Sequence, residues 1–317
     1  MVSRILITGA AGFIGRRLTE RLAQVAPAGS VFLLWDHLDF EAPALLGHKT
    51  EAVSGDLCDP GLREHAFAQP LDAVFHLAAV VSAQAEADFD LGMTVNVDGT
   101  RALLEACRAQ CGAPKFLMAS SVAVFGGAMP ERVPDSWAAR PRSSYGAEKA
   151  ICEVLVNEYS RRGFVDGTVL RLPTVVVRPG RPNKAASSFA SSIIREPLAG
   201  ERALCPVNGE TPMWLTSPAA AVEAFVHAYG LSADDLGDER IISLPGISVT
   251  VADMVAALER AAGAEVAGLI DWQFDAEIAA IVQSWPGDFE AGRALQLGFA
   301  ADDSFDDIIA AYRAETE

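Results

Sequence analysis

Two residues suited to proton transfer lie four positions apart in the segment Tyr-Gly-Ala-Glu-Lys. Tyr145 and Lys149 share one face of any helix formed here, because residues i and i+4 of a helix are neighbours. Free tyrosine has a pKa of about 10 and is a poor base at neutral pH. A nearby ammonium favours the phenolate, so we expect Lys149 to lower the pKa of Tyr145 and make it a usable base.

A serine hydroxyl can complete this pair. Ser121 ends an apolar run, and its hydroxyl can hold the reacting oxygen of a substrate. Tyr145 would then remove the hydroxyl proton while a hydride leaves the same carbon. A Tyr-x-x-x-Lys pair is common on protein surfaces, so this interpretation depends on a hydride acceptor bound elsewhere in the chain.

A glycine-rich turn near the amino terminus provides a place for such an acceptor. Gly9, Gly12 and Gly15 follow an apolar run and lead into a helical pattern. The first permits a tight turn, the second a close ligand and the third close packing of helix on strand. The N–H groups at the helix start, around Phe13 and Ile14, can then receive the pyrophosphate of a dinucleotide.

An acidic residue discriminates between two dinucleotides. Asp36 closes the second predicted strand, about 20 residues past the last glycine. A carboxylate there accepts hydrogen bonds from the adenosine ribose and repels a 2′-phosphate, which favours NAD over NADP. Two alternatives stay open, since Asp36 can be a turn residue and Asp39 competes for the same role.

Further cofactor contacts are expected after the third and fourth strands. Asp56 can reach the adenine amino group and Leu57 can line the ring, although an Asx turn explains Asp56 equally well. His76 is more often a packed histidine than a catalyst. The residues that follow it let the backbone pass close to the cofactor, and they are Leu77, Ala78 and Ala79.

Short apolar runs alternate with helical patterns, which predicts βαβ units and ligands beyond the carboxyl ends of the strands. The expected fold class is α/β, a Rossmann doubly wound parallel sheet with a smaller C-terminal substrate-binding lobe. We expect residues 1–172 to form the NAD-binding domain, with 216–245 returning to it, and residues 173–215 and 246–317 to form the lobe. The predicted strands are Ile5–Ile7, Val31–Leu34, Ala52–Val53, Ala73–His76, Phe116–Ala119, Thr168–Leu172 and Ile241–Leu244. The predicted helices are Phe13–Gln24, Leu62–Ala68, Thr94–Gln110, Tyr145–Arg161, Ala219–Tyr229 and Val251–Ala262.

The composition argues against several classes of partner. The 317 residues carry a formal net charge of −17, whereas nucleic acid or an anionic membrane surface requires clustered Lys and Arg. No apolar run approaches the roughly 20 residues of a membrane span, and no signal peptide is recognisable. The five cysteines lack metal-binding spacing, so we expect no metal and a cytoplasmic protein with reduced thiols.

Together these segments resemble the extended short-chain dehydrogenase/reductase family over essentially the whole chain. The resemblance implies a Rossmann fold of about seven strands, a bound nicotinamide cofactor and a homodimer. It also implies that Ser121, Tyr145 and Lys149 form the catalytic set and that Lys149 holds the ribose hydroxyls. Asn96 is then structural or relays protons. The segments that carry the resemblance are Thr8–Gly15, Asp56–Leu57, His76–Ala79, Asn96–Thr100, Ser120–Ser121 and Tyr145–Lys149.

One basic segment indicates the charge of the substrate. Residues 171–202 hold six basic side chains against Glu196 and Glu201, a local charge of +4 that favours an anionic substrate. We expect at least half of these basic groups to pair with acidic residues elsewhere in the chain or to face solvent. We expect Arg171 to have a structural role. Two substrate classes stay open, a nucleotide-diphosphate sugar and a small sugar acid. The basic residues are Arg171, Arg178, Arg181, Lys184, Arg195 and Arg202.

The same segment resembles a subgroup of this family that oxidises the C2 hydroxyl of short sugar acids with NAD. This resemblance implies that Pro173 and Val176 contact the nicotinamide carboxamide through their backbones. Which arginine binds the substrate carboxylate stays open, and Trp214 either walls the pocket or packs in the core. The residues expected to bind substrate are Ser82, Ser121, Tyr145, Thr174, Arg181, Asn183 and Ser188.

We therefore expect an NAD-dependent dehydrogenase that acts on a short sugar acid. One rival is a nucleotide-sugar 4-epimerase, which would keep its NAD tightly bound. The other is a non-catalytic NAD-binding regulator, against which Tyr145 and Lys149 argue because a sensor has no need of a phenolate.

Overall fold

The computed structural model describes residues 2–110, 112–180 and 185–316. Strands in these ranges form a seven-stranded sheet, a three-stranded sheet and a two-stranded sheet. All seven predicted strands occur, and all belong to the largest sheet. The strands are β1 Arg4–Thr8, β2 Val31–Asp36, β3 Lys49–Ser54, β4 Ala73–His76, β5 Lys115–Ser121, β6 Asp166–Leu172, β7 Thr174–Val175, β8 Ala203–Cys205, β9 Pro212–Thr216, β10 Ile241–Ser243, β11 Ile247–Thr250 and β12 Ile270–Trp272.

All six predicted helices occur, and one of them departs from expectation. The segment predicted as a single helix over Thr94–Gln110 begins with a π-helical turn, Met93–Asp98, and becomes α-helical only at Gly99. A 3₁₀ turn, Val122–Val124, follows β5. No helix within the described ranges is long and apolar enough to cross a membrane. The α-helices are α1 Phe13–Val25, α2 Pro60–Ala66, α3 Ser82–Ala87, α4 Phe89–Gly92, α5 Gly99–Arg108, α6 Ser144–Arg161, α7 Ser188–Leu198, α8 Pro218–Gly230, α9 Ala233–Leu236, α10 Val251–Ala262, α11 Ala264–Ala267, α12 Ala276–Gln283, α13 Gly292–Gln296 and α14 Phe305–Thr316.

The large sheet is parallel and doubly wound. Its strand order is β10-β6-β5-β4-β1-β2-β3, so the chain builds outward in one direction from β1 and in the other from β4. The reversal lies between β1 and β4, where Thr8 is paired with His76. Ligands of such sheets bind beyond the carboxyl ends of the strands at this reversal. The sheet is therefore the Rossmann architecture that the alternation predicts.

Side chains on both faces of the sheet are buried, as the continuous apolar runs require. Ile5 and Ile7 of β1 pack in one cluster, whereas Leu6 packs in the cluster on the opposite face, because successive strand residues alternate. The first cluster includes Leu22 of α1 and Phe225 of α8, and the second includes Leu103 and Val156 of α5 and α6. The sheet thus forms the middle layer between two layers of helices.

The smaller lobe has its own hydrophobic cluster. Its members come only from residues 176–215 and 247–312 of the described chain, and they include α7, α10 and α14. The expected boundary places residues 246–317 in the lobe, but Phe289 and Phe299 pack in the hydrophobic cluster of the large sheet. Phe289 lies against Phe125, and the backbones on either side of Phe289 bond to Val133. This stretch therefore joins the lobe to the Rossmann body.

A buried ion pair lies beneath the predicted catalytic residues. Arg171 of β6 donates two hydrogen bonds, 2.9 and 2.7 Å long, to the carboxylate of Glu153 in α6. Ser120 of β5 donates to the same carboxylate at 2.6 Å. Glu153 is only 1% exposed, so its charge depends on these donors. The network fixes β5, β6 and α6 to one another, and Arg171 is thus structural.

This network yields a stability prediction. Arg171→Met leaves the Glu153 carboxylate buried without its cation, and we expect a loss of about 3–5 kcal/mol in the free energy of unfolding. Urea unfolding followed by circular dichroism measures the loss. The exposed Arg202 in the same basic segment is the matched control, and Arg202→Met should cost less than about 0.5 kcal/mol. Equal midpoints for the two variants would contradict the structural role of Arg171.

Candidate active site

A cleft of about 180 Å³ lies beyond the carboxyl ends of the sheet, where the Rossmann body meets the smaller lobe. The glycine turn, the end of β5, the first turn of α6 and the segment around β7 contribute its walls. Over the part of the chain that the structure describes, no group of three or more His, Cys, Asp or Glu side chains can hold a metal ion. The residues that line the cleft include Phe13, Ile14, Ser121, Tyr145, Thr174 and Arg178.

Ser121 reaches the cleft from the last position of β5. Its Oγ accepts a hydrogen bond from the N–H of Ala123 at 3.1 Å. That oxygen is therefore anchored by an incoming bond, and its own O–H can donate toward the cleft. This is the polarity that a clamp for a substrate oxygen requires.

Tyr145 reaches the same cleft from the start of α6. Ser143 caps this helix, its Oγ accepting the N–H of Gly146 at 3.2 Å. A Cβ at Gly146 would lie 2.2 Å from the carbonyl oxygen of Ala123, so only glycine lets α6 approach the turn that follows Ser121. Gly146 thereby sets how close the base and the clamp can be. No pattern in the sequence marks this glycine for that role.

The pKa of Tyr145 differs from expectation. Burial raises the pKa of the phenol to about 12, and the cation that opposes this rise is Arg178, while Glu148 adds to it. Lys149 Nζ lies 5.7 Å from the centroid of the Tyr145 ring. In the protein alone the expected low pKa is not found, because desolvation of the phenolate outweighs the nearby positive charges. The lowering that Lys149 and a positively charged nicotinamide would cause together stays a prediction.

Lys149 is buried beside the catalytic tyrosine. Its Nζ donates to the carbonyl oxygen of Ala119 in β5 at 3.0 Å, and burial lowers the pKa of its ammonium. An ammonium has three donors, so this bond leaves capacity for ribose hydroxyls. The contact of Lys149 with a ribose stays a prediction, whereas its link between α6 and β5 is part of the fold.

Asn96 lies inside the π-helical turn and is fully engaged through its amide nitrogen. Its Nδ2 donates to the carbonyl oxygen of Val80 at 3.0 Å and to Glu148 at 2.6 Å, while its Oδ1 accepts the N–H of Val80 at 2.8 Å. Both amide hydrogens are thus used within the protein. Of its two expected roles the geometry favours the structural one, because Asn96 fixes the chain after β4 against α6.

The glycine turn has the geometry that a dinucleotide phosphate needs. Gly9 has a φ of +72°, and a Cβ there would lie 2.8 Å from the backbone nitrogen of Ala78. A Cβ at Gly15 would lie 2.1 Å from the carbonyl oxygen of Gly9. Gly12 begins α1, which no described side chain caps, so its first N–H groups remain for a phosphate. These residues fit the pyrophosphate of a nicotinamide dinucleotide.

Asp36 lies beside this turn at the end of β2. Its carboxylate is 6% exposed and accepts the N–H of Ala11 at 2.9 Å and that of Leu38 at 3.1 Å. Asp36 therefore acts as a turn residue and is also held next to the glycine turn. Asp39 is exposed, as is His37. Selection of the ribose by Asp36 stays a prediction.

The other expected cofactor contacts have local roles in the fold. Asp56 forms an Asx turn, because its Oδ1 accepts the N–H of Cys58 at 2.9 Å. Leu57 packs in a core cluster. His76 lies between the hydroxyls of two threonines, at 2.7 and 2.9 Å, and burial lowers its pKa to about 3, so it is a packed neutral histidine. The contacts with adenine, and those of Leu77, Ala78 and Ala79 with the cofactor, stay predictions.

The structure brings some of the expected substrate residues together and separates others. Ser82, Pro173 and Thr174 line the cleft with Ser121 and Tyr145. Val176 and Ser188 do not line it. The Val176 side chain packs in the lobe core and its N–H donates to the carbonyl oxygen of Thr216, while Ser188 lies at the start of α7. Trp214 is a core residue of the sheet cluster. Arg181 and Asn183 lie outside the described residues.

The residues that line the cleft from the lobe side without an assigned site role include Arg178, Ser187 and Trp285. Arg178 and Ser187 carry a signal in the sequence, since both belong to the basic, serine-rich segment. Trp285 has none, because it is far from every motif and reaches the cleft only through the packing of the lobe. Choosing among six basic residues requires knowing which of them already have partners, and that is a property of the fold.

Comparisons with known proteins agree on the kind of protein. A profile of the NAD dependent epimerase/dehydratase family matches residues 5–229. The chain is 53% identical over 316 residues to D-erythronate dehydrogenase of Cupriavidus necator, covering 97% of each chain. It is 45% identical over 307 residues to D-erythronate dehydrogenase of Haemophilus influenzae, covering 96% of this chain and 97% of that one. The crystal structure of the nucleoside-diphosphate-sugar epimerase from Agrobacterium tumefaciens matches with a TM-score of 0.93 at 42% identity, covering 99% of this chain and 94% of that one. These likenesses imply a nicotinamide cofactor.

The close approach at Gly15 yields a prediction for cofactor binding. Gly15→Ala places a methyl group 2.1 Å from the Gly9 carbonyl oxygen, so α1 must move away from the turn. We expect the Kd for NADH, measured by fluorescence titration, to rise by roughly 10-fold or more, because the phosphate donors lose their alignment. Gly230→Ala, at the end of a helix where a Cβ meets nothing within 4 Å, is the control. Unchanged binding by the Gly15 variant would remove the turn from the cofactor site.

Proposed function

This chain belongs to the NAD-dependent epimerase/dehydratase family, and from that premise we propose that it oxidises the C2 hydroxyl of D-erythronate with NAD, giving 2-dehydro-D-erythronate. The observation that carries the proposal is the meeting of Ser121 and Tyr145 with Phe13 and Ile14 of the glycine turn in one small cleft. The names of the two relatives supply the acid. NAD is the cofactor named for the whole family, so it does not distinguish among substrates. The identity of the substrate therefore has to be tested.

The residues of this chain divide the reaction between them. Ser121 donates its O–H to the substrate hydroxyl oxygen and so holds the C2 hydroxyl in place. Tyr145 accepts the proton of that hydroxyl as the C–O bond becomes a carbonyl. Bound NAD supplies the acceptor for the hydride that leaves C2. Phe13, Ile14 and Pro173 add apolar side chains to the wall of the same cleft.

The raised pKa of Tyr145 means that positive charge has to favour its phenolate. Arg178 already acts in this direction in the protein alone. The positive charge of the oxidised nicotinamide acts in the same direction, and Lys149 holds a further charge 5.7 Å from the ring. Because the deprotonated phenol is the active form, kcat/KM for oxidation should increase with pH across the neutral and alkaline range.

A nucleotide-sugar 4-epimerase is the second candidate, favoured by the name of the Agrobacterium tumefaciens structure. Such an enzyme returns the hydride to its own substrate and releases no NADH. The two relatives named as dehydrogenases cover 97% and 96% of this chain and, at 53% and 45% identity, are more similar to it in sequence than that structure is at 42%. A non-catalytic regulator would not need Ser121 and Tyr145 in one cleft, so we place it last. The homodimer and the cytoplasmic location stay predictions.

The test of function uses the full chain with NAD and a panel of four- to six-carbon aldonates, followed by NADH absorbance. We expect turnover with D-erythronate and release of NADH in proportion to the keto acid formed. Absence of turnover with every acid, together with conversion of a UDP-sugar without net NADH, would establish the epimerase instead.

Tyr145→Phe is the matched control for the chemistry. It removes the proton acceptor and keeps the ring, so turnover should fall by about 100-fold or more while NADH still binds. The increase of kcat/KM with pH should disappear with it. Retained turnover with an unchanged pH profile would assign the base to another residue.

Cofactor choice gives a separate prediction. Asp36→Ala removes the carboxylate beside the glycine turn, so its repulsion of a 2′-phosphate is lost. We expect the ratio of kcat/KM with NAD to that with NADP to fall by roughly 10-fold or more. Asp39→Ala is measured alongside, because Asp39 is exposed three residues further on. A fall with Asp39→Ala and none with Asp36→Ala would reassign the ribose contact.

A further inference from the structure

Arg178 forms part of the cleft wall that faces the catalytic residues. It lies three residues past β7, and its guanidinium is close enough to the Tyr145 phenol for each charge to affect the other. Its backbone is held from both sides, since its N–H donates to Ser191 Oγ at 3.0 Å and its carbonyl oxygen accepts from Arg195 at 2.7 Å. These two hydrogen bonds therefore fix the backbone from which the Arg178 side chain extends.

The guanidinium of Arg178 is bonded to neutral groups. Its Nε donates to the carbonyl oxygen of Val175 at 2.9 Å and its Nη2 to Ser187 Oγ at 2.7 Å. None of the ion pairs in residues 2–110, 112–180 and 185–316 includes Arg178, although burial and the charge of Arg195 lower its pKa to about 10. A desolvated cation of this kind is stabilised by an anion that arrives from outside.

The other arginines that the structure describes in the basic segment form ion pairs with carboxylates or face solvent. Arg171 is paired with Glu153 beneath the sheet. Arg195 is paired with Glu196, 2.6 Å away, and directs another donor to the Arg178 carbonyl oxygen. Arg202 is exposed. Among the arginines of this segment that the structure describes, the one that lines the cleft in which Ser121 and Tyr145 meet is Arg178.

We propose that Arg178 binds the carboxylate of the substrate and makes the site selective for 2-hydroxy acids. The proposal rests on the oxidation of an acid at C2, in which the carboxylate is attached to the reacting carbon. Its anchor must therefore lie beside Tyr145 and Ser121, where Arg178 is placed. Two of the five guanidinium N–H groups hold the side chain through Val175 and Ser187, and the rest can form a fork on a carboxylate.

This role is distinct from the effect of Arg178 on the phenol. The groups that act on the Tyr145 phenol are Arg178, Glu148 and Cys152, with the Lys149 ammonium 5.7 Å from its ring. Loss of Arg178 would weaken proton removal from any substrate, charged or neutral. Loss of a carboxylate anchor would lower activity only on the substrate that carries a carboxylate. The ratio of activities on an acid and on its neutral amide separates the two roles.

The experiment compares D-erythronate with D-erythronamide in the wild-type protein and in Arg178→Gln, Arg178→Lys and Arg202→Gln. We expect Arg178→Gln to lower the acid-to-amide ratio of kcat/KM by roughly 100-fold, because a charge-assisted fork is lost. Arg178→Lys keeps the positive charge but loses the forked donors of the guanidinium. Its acid-to-amide ratio should therefore lie between those of the wild-type protein and Arg178→Gln. Arg202→Gln should keep the wild-type ratio, and NADH titration confirms that each variant retains its cofactor site.

Each result decides a question. An unchanged ratio in Arg178→Gln, including an equal loss on acid and amide, overturns the carboxylate contact while leaving the proposed function intact. The same holds if Arg181→Gln lowers the ratio and Arg178→Gln does not, since the anchor would then be Arg181. A wild-type protein that oxidises no aldonate overturns the proposed function and this inference together.

Discussion

A positive charge held against a buried phenol is the interaction on which the rest of this site depends. Burial raises the pKa of Tyr145, and the rise is opposed by Arg178, whose guanidinium is bonded to Val175 and Ser187 rather than to a carboxylate. The carboxylates of the neighbourhood are bonded elsewhere, Glu153 to Arg171 and Glu196 to Arg195. Arg178 is consequently available to an anionic ligand. The same arrangement explains why a chain with a net charge of −17 can offer a locally positive cleft.

The fold meets this requirement through close backbone contacts. Gly146 lets α6 approach the turn after Ser121, and Gly15 lets α1 approach the turn at Gly9. The π-helical turn directs Asn96 to Glu148 of α6, and the hydrogen bond between them holds that carboxylate in place. Helix α7 of the lobe then holds Arg178 in place through its backbone. Catalytic groups from the sheet and the substrate anchor from the lobe therefore meet only in the folded chain.

The sequence predicts the parts of this protein that depend on local patterns. The seven strands of the sheet follow from short apolar runs, and Gly9 and Gly15 are needed where the fingerprint places them. Non-local properties could not be predicted. The pKa of Tyr145 depends on burial by distant segments, and the choice of Arg178 depends on which arginines find carboxylates. The place of Trp214 in the core and that of Trp285 in the cleft wall are non-local for the same reason, because a tryptophan fits a core or a cleft wall equally well.

The most direct test of the account is the fate of the hydrogen at C2. D-erythronate deuterated at C2 is incubated with the protein and NAD, and both products are analysed by mass spectrometry and NMR. Oxidation at C2 predicts one deuterium at C4 of the reduced nicotinamide for each molecule of 2-keto acid, and slower turnover than with the unlabelled acid. A product that keeps its C2 deuterium, or deuterium that never reaches released NADH, would contradict oxidation at C2.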